Sequence, residues 1–128
     1  MNAIGKRRLL KLADFLEGLP GSTNFHMGSL ASEVKDGRPA CGASACALGW
    51  GATIPSFRRA GFRLTRDGSL RVPGVRSRSW NDHAAHFFDM TAPEVSNVFG
   101  VSQVHSVGAV ARRDAVKRIR NLVASKAA

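Results

Sequence analysis

The apolar positions along the chain change period several times, and each change marks an element. Ile4, Leu9, Leu12, Phe15, Leu16 and Leu19 recur near every 3.6 residues, which predicts a helix from about Ala3 to Glu17 ended by Gly18, Pro20 and Gly21. Phe25, Leu30, Ala31 and Val34 predict a second, shorter helical stretch over roughly 24–34, followed by a loop at Asp36-Gly37-Arg38-Pro39. Ser44 reads as the cap of a third helix made of Ala45, Cys46, Ala47, Leu48, Gly49, Trp50, Gly51 and Ala52 and stopped near Pro55. That helix is apolar on every side and its small residues allow backbones to approach, so it belongs at the centre of the fold.

From Phe62 to Val72 the period falls to two. Phe62, Leu64, Leu70 and Val72 alternate with Arg and Thr around Asp67-Gly68, which predicts a short β-hairpin. Ser79-Trp80-Asn81-Asp82 reads as a capping box opening a helix whose Trp80, Ala84, Phe87 and Phe88 share a face. Thr91-Ala92-Pro93-Glu94 is a second capping box, with Val95, Val98 and Phe99 behind it and Gly100 as the stop. The last helix is expected from about Val107 to Ala124, with Val107, Val110, Ala111, Ala115, Ile119, Leu122 and Val123 inward and Arg113, Lys117 and Arg120 outward. The expected fold class is mainly α, a compact multi-helix single domain over residues 1–128 with one short β-hairpin around residues 62–72.

Composition agrees with such a domain. At 128 residues and 44% apolar, one core suffices and a disordered chain is excluded. No apolar run approaches the roughly 18 residues that cross a bilayer, and the N-terminus is basic and amphipathic rather than a signal sequence, so the expectation is a cytoplasmic protein with no membrane partner. Cys41 and Cys46 are too few for a disulfide framework and are expected as thiols.

Charge changes the picture more. The 19 Lys and Arg against 9 Asp and Glu give a formal net charge of +10. Residues 1–11 carry Lys6, Arg7, Arg8 and Lys11 with no acid; residues 58–78 carry seven arginines against Asp67; residues 112–126 carry Arg112, Arg113, Lys117, Arg118, Arg120 and Lys126 against Asp114. The intervening segments, 12–57 and 79–111, are net acidic. Arg7, Arg8, Lys11, Arg58, Arg59, Arg63, Arg112, Arg113, Lys117 and Arg120 are therefore the candidate binding residues, for nucleic-acid phosphates or for an acidic protein surface. The plainer reading is a solvated basic face. No helix-turn-helix, zinc-finger or RNA-binding aromatic motif accompanies the charge, and the chain has no Tyr for stacking on single strands.

Cysteine chemistry is the other candidate. A thiol at a helix N-terminus is activated by the dipole, which makes Cys46 or Cys41 a conceivable nucleophile, with His83 or His86 and Asp82 or Asp89 as base and orienter; the plainer reading is two small core residues. Cys41, Cys46, His83 and His86 also supply four metal-ligand types, but their spacings of four and two intervening residues do not match structural zinc. His83 at the edge of an apolar face reads as a half-buried core histidine, and His26 and His105 stand alone. No catalytic residue, metal or cofactor is assigned.

The stretch from Cys41 to Ile54, with its Cys41-Gly42, its second cysteine Cys46 and its Gly49-Trp50 followed by Ala52, resembles a segment of small uncharacterised phage and prophage accessory proteins. Phe87 to Glu94 and Val98-Phe99 are similar to the same group, over about residues 9–100. The resemblance implies a role in host takeover or host defence and transfers no catalytic residue; it does not extend to His83 and His86. Together these readings favour a non-enzymatic basic binding module acting in the bacterial host cytoplasm on nucleic acid or on a host complex that handles it, such as an anti-CRISPR inhibitor. A thiol-dependent enzyme using Cys46 or Cys41 and a virion structural or scaffold protein are the alternatives.

Overall fold

The computed structural model describes residues 1–100 and 107–126. Helix α1 (Ala3–Glu17) is capped by the Asn2 side chain, which accepts from the Gly5 N–H, and it buries Leu9, Leu12, Ala13 and Leu16 on one face. Its first turn crosses the end of α4 so closely that a Cβ on Gly5 would lie 2.1 Å from the Phe88 carbonyl oxygen.

The stretch 24–34 does not form the helix its apolar spacing predicts. Its backbone pairs with the segment before α2 instead: the His26 N–H donates to the Ala45 carbonyl at 3.0 Å, Ala45 N–H to Asn24 at 3.1 Å, Ser32 N–H to Ser44 at 2.9 Å and Cys46 N–H to Ser29 at 2.8 Å. Asn24, Gly28, Ser29 and Ser32 are weak helix formers, and this pairing satisfies their polar groups more completely than an isolated turn of helix. Beyond it, β1 (Val34–Lys35) and β2 (Arg38–Pro39) make a hairpin where a loop is expected. Its tip is Asp36-Gly37, both with positive φ (54° and 77°), the two-residue turn that suits the twist of antiparallel strands.

Helix α2 (Ala47–Gly51) starts later than predicted. Ser44 does not cap it, because the Ser44 N–H and carbonyl are engaged with Ser32, and Cys46 occupies the cap position. The element is central as expected, with Ala47, Leu48, Gly49 and Gly51 buried. A five-residue helix α3 (Pro55–Arg59) follows with Pro55 as its first residue, where a missing N–H is harmless. The predicted hairpin forms as β3 (Arg63–Leu64) and β4 (Leu70–Arg71), and the Leu64 N–H donates to the Gly37 carbonyl at 2.8 Å, joining the two hairpins.

Helix α4 (Trp80–Phe88) begins after Ser79, but the expected capping box is not made: the Asp82 N–H is taken by the Ser79 backbone carbonyl rather than its side chain. The box at Thr91 and Glu94 is complete and opens α5 (Ala92–Phe99), which Gly100 ends. Helix α6 (Gly108–Ser125) runs antiparallel to α1, since Arg112 reaches the end of α1 and Lys6 donates to the Lys126 carbonyl. It buries Ala111, Ala115, Val116, Ile119 and Val123. Val107 and Val110, expected inward, are exposed because they lie beyond the point where α1 ends. The core between the helices is aromatic at its centre, where Phe57, Phe62, Phe87 and Phe88 meet in tilted and edge-on pairs with centroids 4.8–6.2 Å apart. No helix of the described residues is long and apolar enough to cross a membrane.

Candidate functional site

Three Arg-Arg pairs, Arg7-Arg8, Arg58-Arg59 and Arg112-Arg113, supply six of the ten sequence-predicted binding residues. In each pair one arginine is half-buried and grips backbone carbonyls at a helix C-terminus. Arg8 donates to the Phe87 carbonyl at 2.8 Å, in the last turn of α4, and its guanidinium lies 4.0 Å over the Phe87 ring. Arg58 donates to Ala52, which ends α2, at 3.2 Å and to the Asp36 carbonyl at 2.8 Å. Arg112 donates to Leu19 and Pro20, just past α1, at 2.9 and 3.0 Å. The last carbonyls of a helix have no partner within it and carry the negative end of its dipole, so a guanidinium there satisfies both a hydrogen bond and a charge. Burial, and secondarily the Arg7 charge, lowers the Arg8 pKa from its ordinary value.

One residue along a helix is a turn of about 100°, so the neighbour of each gripping arginine points elsewhere. Arg7, Arg59 and Arg113 are exposed and bond to no other described residue. The same is true of Lys11, Arg63 and Lys117. Arg120, predicted as outward, is held between Asp14 at 3.0 Å and Glu17 at 2.6 Å. Both carboxylates raise the Arg120 pKa, and its guanidinium holds the Glu17 carboxyl below its ordinary range.

The three basic segments line separate grooves. The first lines an open groove of about 390 Å³, where Arg7, Arg8 and Lys11 lie beside Ser56 and Phe57 of α3. The third runs back along α1, from Arg112 at the end of that helix to Lys126 beside Lys6 at its start. It lines its own groove of about 500 Å³ with Glu17, and because Arg112 and Arg120 are occupied, Arg113 and Lys117 supply the free charge there.

A cluster that the segment charges hide lies at the joined hairpins. Lys35 and Arg38 belong to a net-acidic stretch of sequence, yet the fold sets them beside Arg58, Arg63 and Arg66. One groove of about 320 Å³ is lined by Asp36, Gly37, Arg58 and Arg63; an adjoining one of about 460 Å³ is lined by Lys35, Asp36, Gly37 and Arg66. The bare Gly37 turn admits the Arg63 side chain: a Cβ on Gly37 would lie 3.3 Å from the Arg63 Cβ. Lys35 stands directly opposite Arg38 and Arg63 opposite Arg71, and such like-charge cross-strand pairs each cost up to roughly 1 kcal/mol. The signal for this site was the Asp-Gly turn flanked by Lys and Arg, which marks a hairpin with two cations at its tip.

Cysteine chemistry finds little support. Cys41 is exposed and Cys46 buried, both as free thiols. Burial pushes the Cys46 thiol up, and the backbone N–H groups of Gly49 and Leu48 pull the other way by less. His83 is fully buried rather than half-buried, its Nδ1 accepting from the Val72 N–H at 2.9 Å and its Nε2 donating to the Ser77 carbonyl at 2.7 Å. Because a backbone N–H only donates, the ring is neutral with its proton on Nε2, and neither nitrogen is free for a substrate or a metal. His105 lies outside the described residues. Among the described residues, no group of three or more His, Cys, Asp and Glu could hold a metal ion. Compared with protein-family models, curated proteins and solved structures, the chain matches none.

Proposed function

We propose that the protein is a small, non-enzymatic binding module that holds nucleic acid through its exposed cations, in a phage-type setting where the partner is nucleic acid of the bacterial host or a host complex engaged on it. A host-defence inhibitor such as an anti-CRISPR is one form this role takes. The observation that carries the reading is the split within the arginine pairs. Where a carbonyl or carboxylate of this chain is within reach, the guanidinium uses it; Arg7, Lys11, Arg59, Arg63, Arg113 and Lys117 remain exposed without an anion among the described residues. Charge left free in this way is available to displace counterions from phosphates.

The test is fluorescence anisotropy with a mixed-sequence duplex at 50 mM salt, repeated at rising salt, alongside a pull-down from bacterial lysate with and without nuclease. Binding that weakens steeply with salt, and partners that disappear with nuclease, are expected. Undetectable binding at low salt would sink the nucleic-acid reading. Alkylation separates this reading from a thiol enzyme: Cys41 should label readily and Cys46 only on unfolding, whereas fast labelling of folded Cys46 would restore thiol chemistry.

A further inference from the structure

Of the basic surfaces, one gathers more cations than either groove along α1 and α6. Asp67 follows Arg66 in the turn of the second hairpin, and where the tip of the first hairpin joins β3, Lys35, Arg38, Arg58, Arg63 and Arg66 gather about the Asp36 carboxylate. Arg58 does not neutralise that carboxylate, since it bonds the Asp36 backbone carbonyl instead. We infer that this two-hairpin surface is the nucleic-acid contact, gripping the phosphate backbone of a duplex without reading its sequence; the inference rests on the function proposed above.

Three features argue for it. First, the strands sort their side chains by face: Pro39, Leu64 and Leu70 are buried, while Lys35, Arg38 and Arg63 are exposed, so the cations stand together on a backbone held rigid by the core beneath. Secondly, the like-charge pairs Lys35 with Arg38 and Arg63 with Arg71 oppose each other in the free protein, and an anion bound between them turns that repulsion into attraction. Thirdly, the surface offers no aromatic platform, because Phe62 is buried under it. Bases of a single strand therefore have nothing to stack on, and phosphates are what remains to be held. A duplex presents them at the higher density and is the favoured form.

The test compares three variants of the full chain by anisotropy against two 20-base-pair duplexes of unrelated sequence and one single strand, over a range of salt. Combined Lys35→Gln, Arg38→Gln, Arg63→Gln and Arg66→Gln should flatten the plot of log affinity against log salt by about 3 to 4, at about 0.9 for each phosphate that is no longer neutralised. Asp36→Asn removes the carboxylate that lines both grooves while keeping a residue that tolerates positive φ, so the turn is retained and binding should tighten. Arg113→Gln with Lys117→Gln, away from the hairpins, should flatten the plot by less than half as much. The two duplexes should bind alike and the single strand more weakly. Unchanged binding by the hairpin variants, with weakened binding by the Arg113 and Lys117 variant, would overturn the inference and leave the proposed function standing. Absence of duplex binding by the unaltered protein at low salt would overturn both, as would polyglutamate displacing the duplex at equal charge, which marks an acidic protein partner.

Discussion

The side of the molecule formed by α1 and α6 and the side formed by the two hairpins are both rich in arginine, but among the described residues only the first pairs any of it with carboxylates. Along α1 and α6, Arg8 and Arg112 close on helix-end carbonyls, Arg118 on Asp114 at 2.9 Å, Arg120 on Asp14 and Glu17, and Lys126 on Glu94 at 2.8 Å. At the hairpins, cations face one another across strands, and Asp36 and Asp67 in the turns form no ion pair with them among the described residues. High net charge by itself thus says little about binding capacity. What counts is which cations the chain has already satisfied.

The contrast can be broken most sharply within the arginine pairs. Arg8→Ala removes a charge-assisted bond and a cation–π contact and should lower unfolding free energy by about 2–3 kcal/mol, while Arg7→Ala next to it stays within about 0.5 kcal/mol; urea denaturation of the two variants decides the matter. Arg58→Ala and Arg112→Ala should each lose roughly 1.5–2 kcal/mol in the same assay, against near-neutral Arg59→Ala and Arg113→Ala. Equal losses within any pair would remove the distinction between gripping and free arginines.

Acid provides a gentler probe. Glu17 is held below its ordinary pKa of 4.5 by Arg120, and Glu94 by Lys126 first and the Thr91 cap second. Groups depressed in the folded state contribute stability that is full above the ordinary value and is lost as pH falls through the folded one. Melting temperature should therefore hold between neutral pH and about 5 and decline below about 4.5, less so in Glu17→Gln. The smallest effect runs the other way: Arg38→Glu replaces repulsion with attraction opposite Lys35 and should raise stability by about 0.5 kcal/mol. A decrease there would show that Lys35 and Arg38 are not in conflict.

How much of this could be read from the sequence varies with how local each cause is. Helix α1, the Thr91 capping box and the 62–72 hairpin were legible because a short-range pattern dictates each. The 24–34 stretch was misread because its partner, the segment before α2, lies about 20 residues away, and pairing across that gap overrides a loose apolar period. The candidate site divides in the same way. Sequence could nominate Arg7 and Arg8 together but could not choose between them, since the choice depends on the Phe87 carbonyl 79 residues further along. It missed Lys35 and Arg38 because a charge average over 12–57 dilutes two cations that the Asp36-Gly37 turn brings to an edge.

The glycine at the heart of α2 bears on how the Cys41 to Ile54 stretch is understood. A Cβ on Gly49 would sit 1.7 Å from the Leu30 carbonyl oxygen, the Cys46 N–H bonds Ser29, and the Trp50 indole donates to Asn24 at 3.1 Å. These contacts make the stretch a keyed joint, in which the helix slots against the 24–30 segment and leaves no room for a side chain at the point of crossing. Cys46, Gly49 and Trp50 are the dimensions of that fitting.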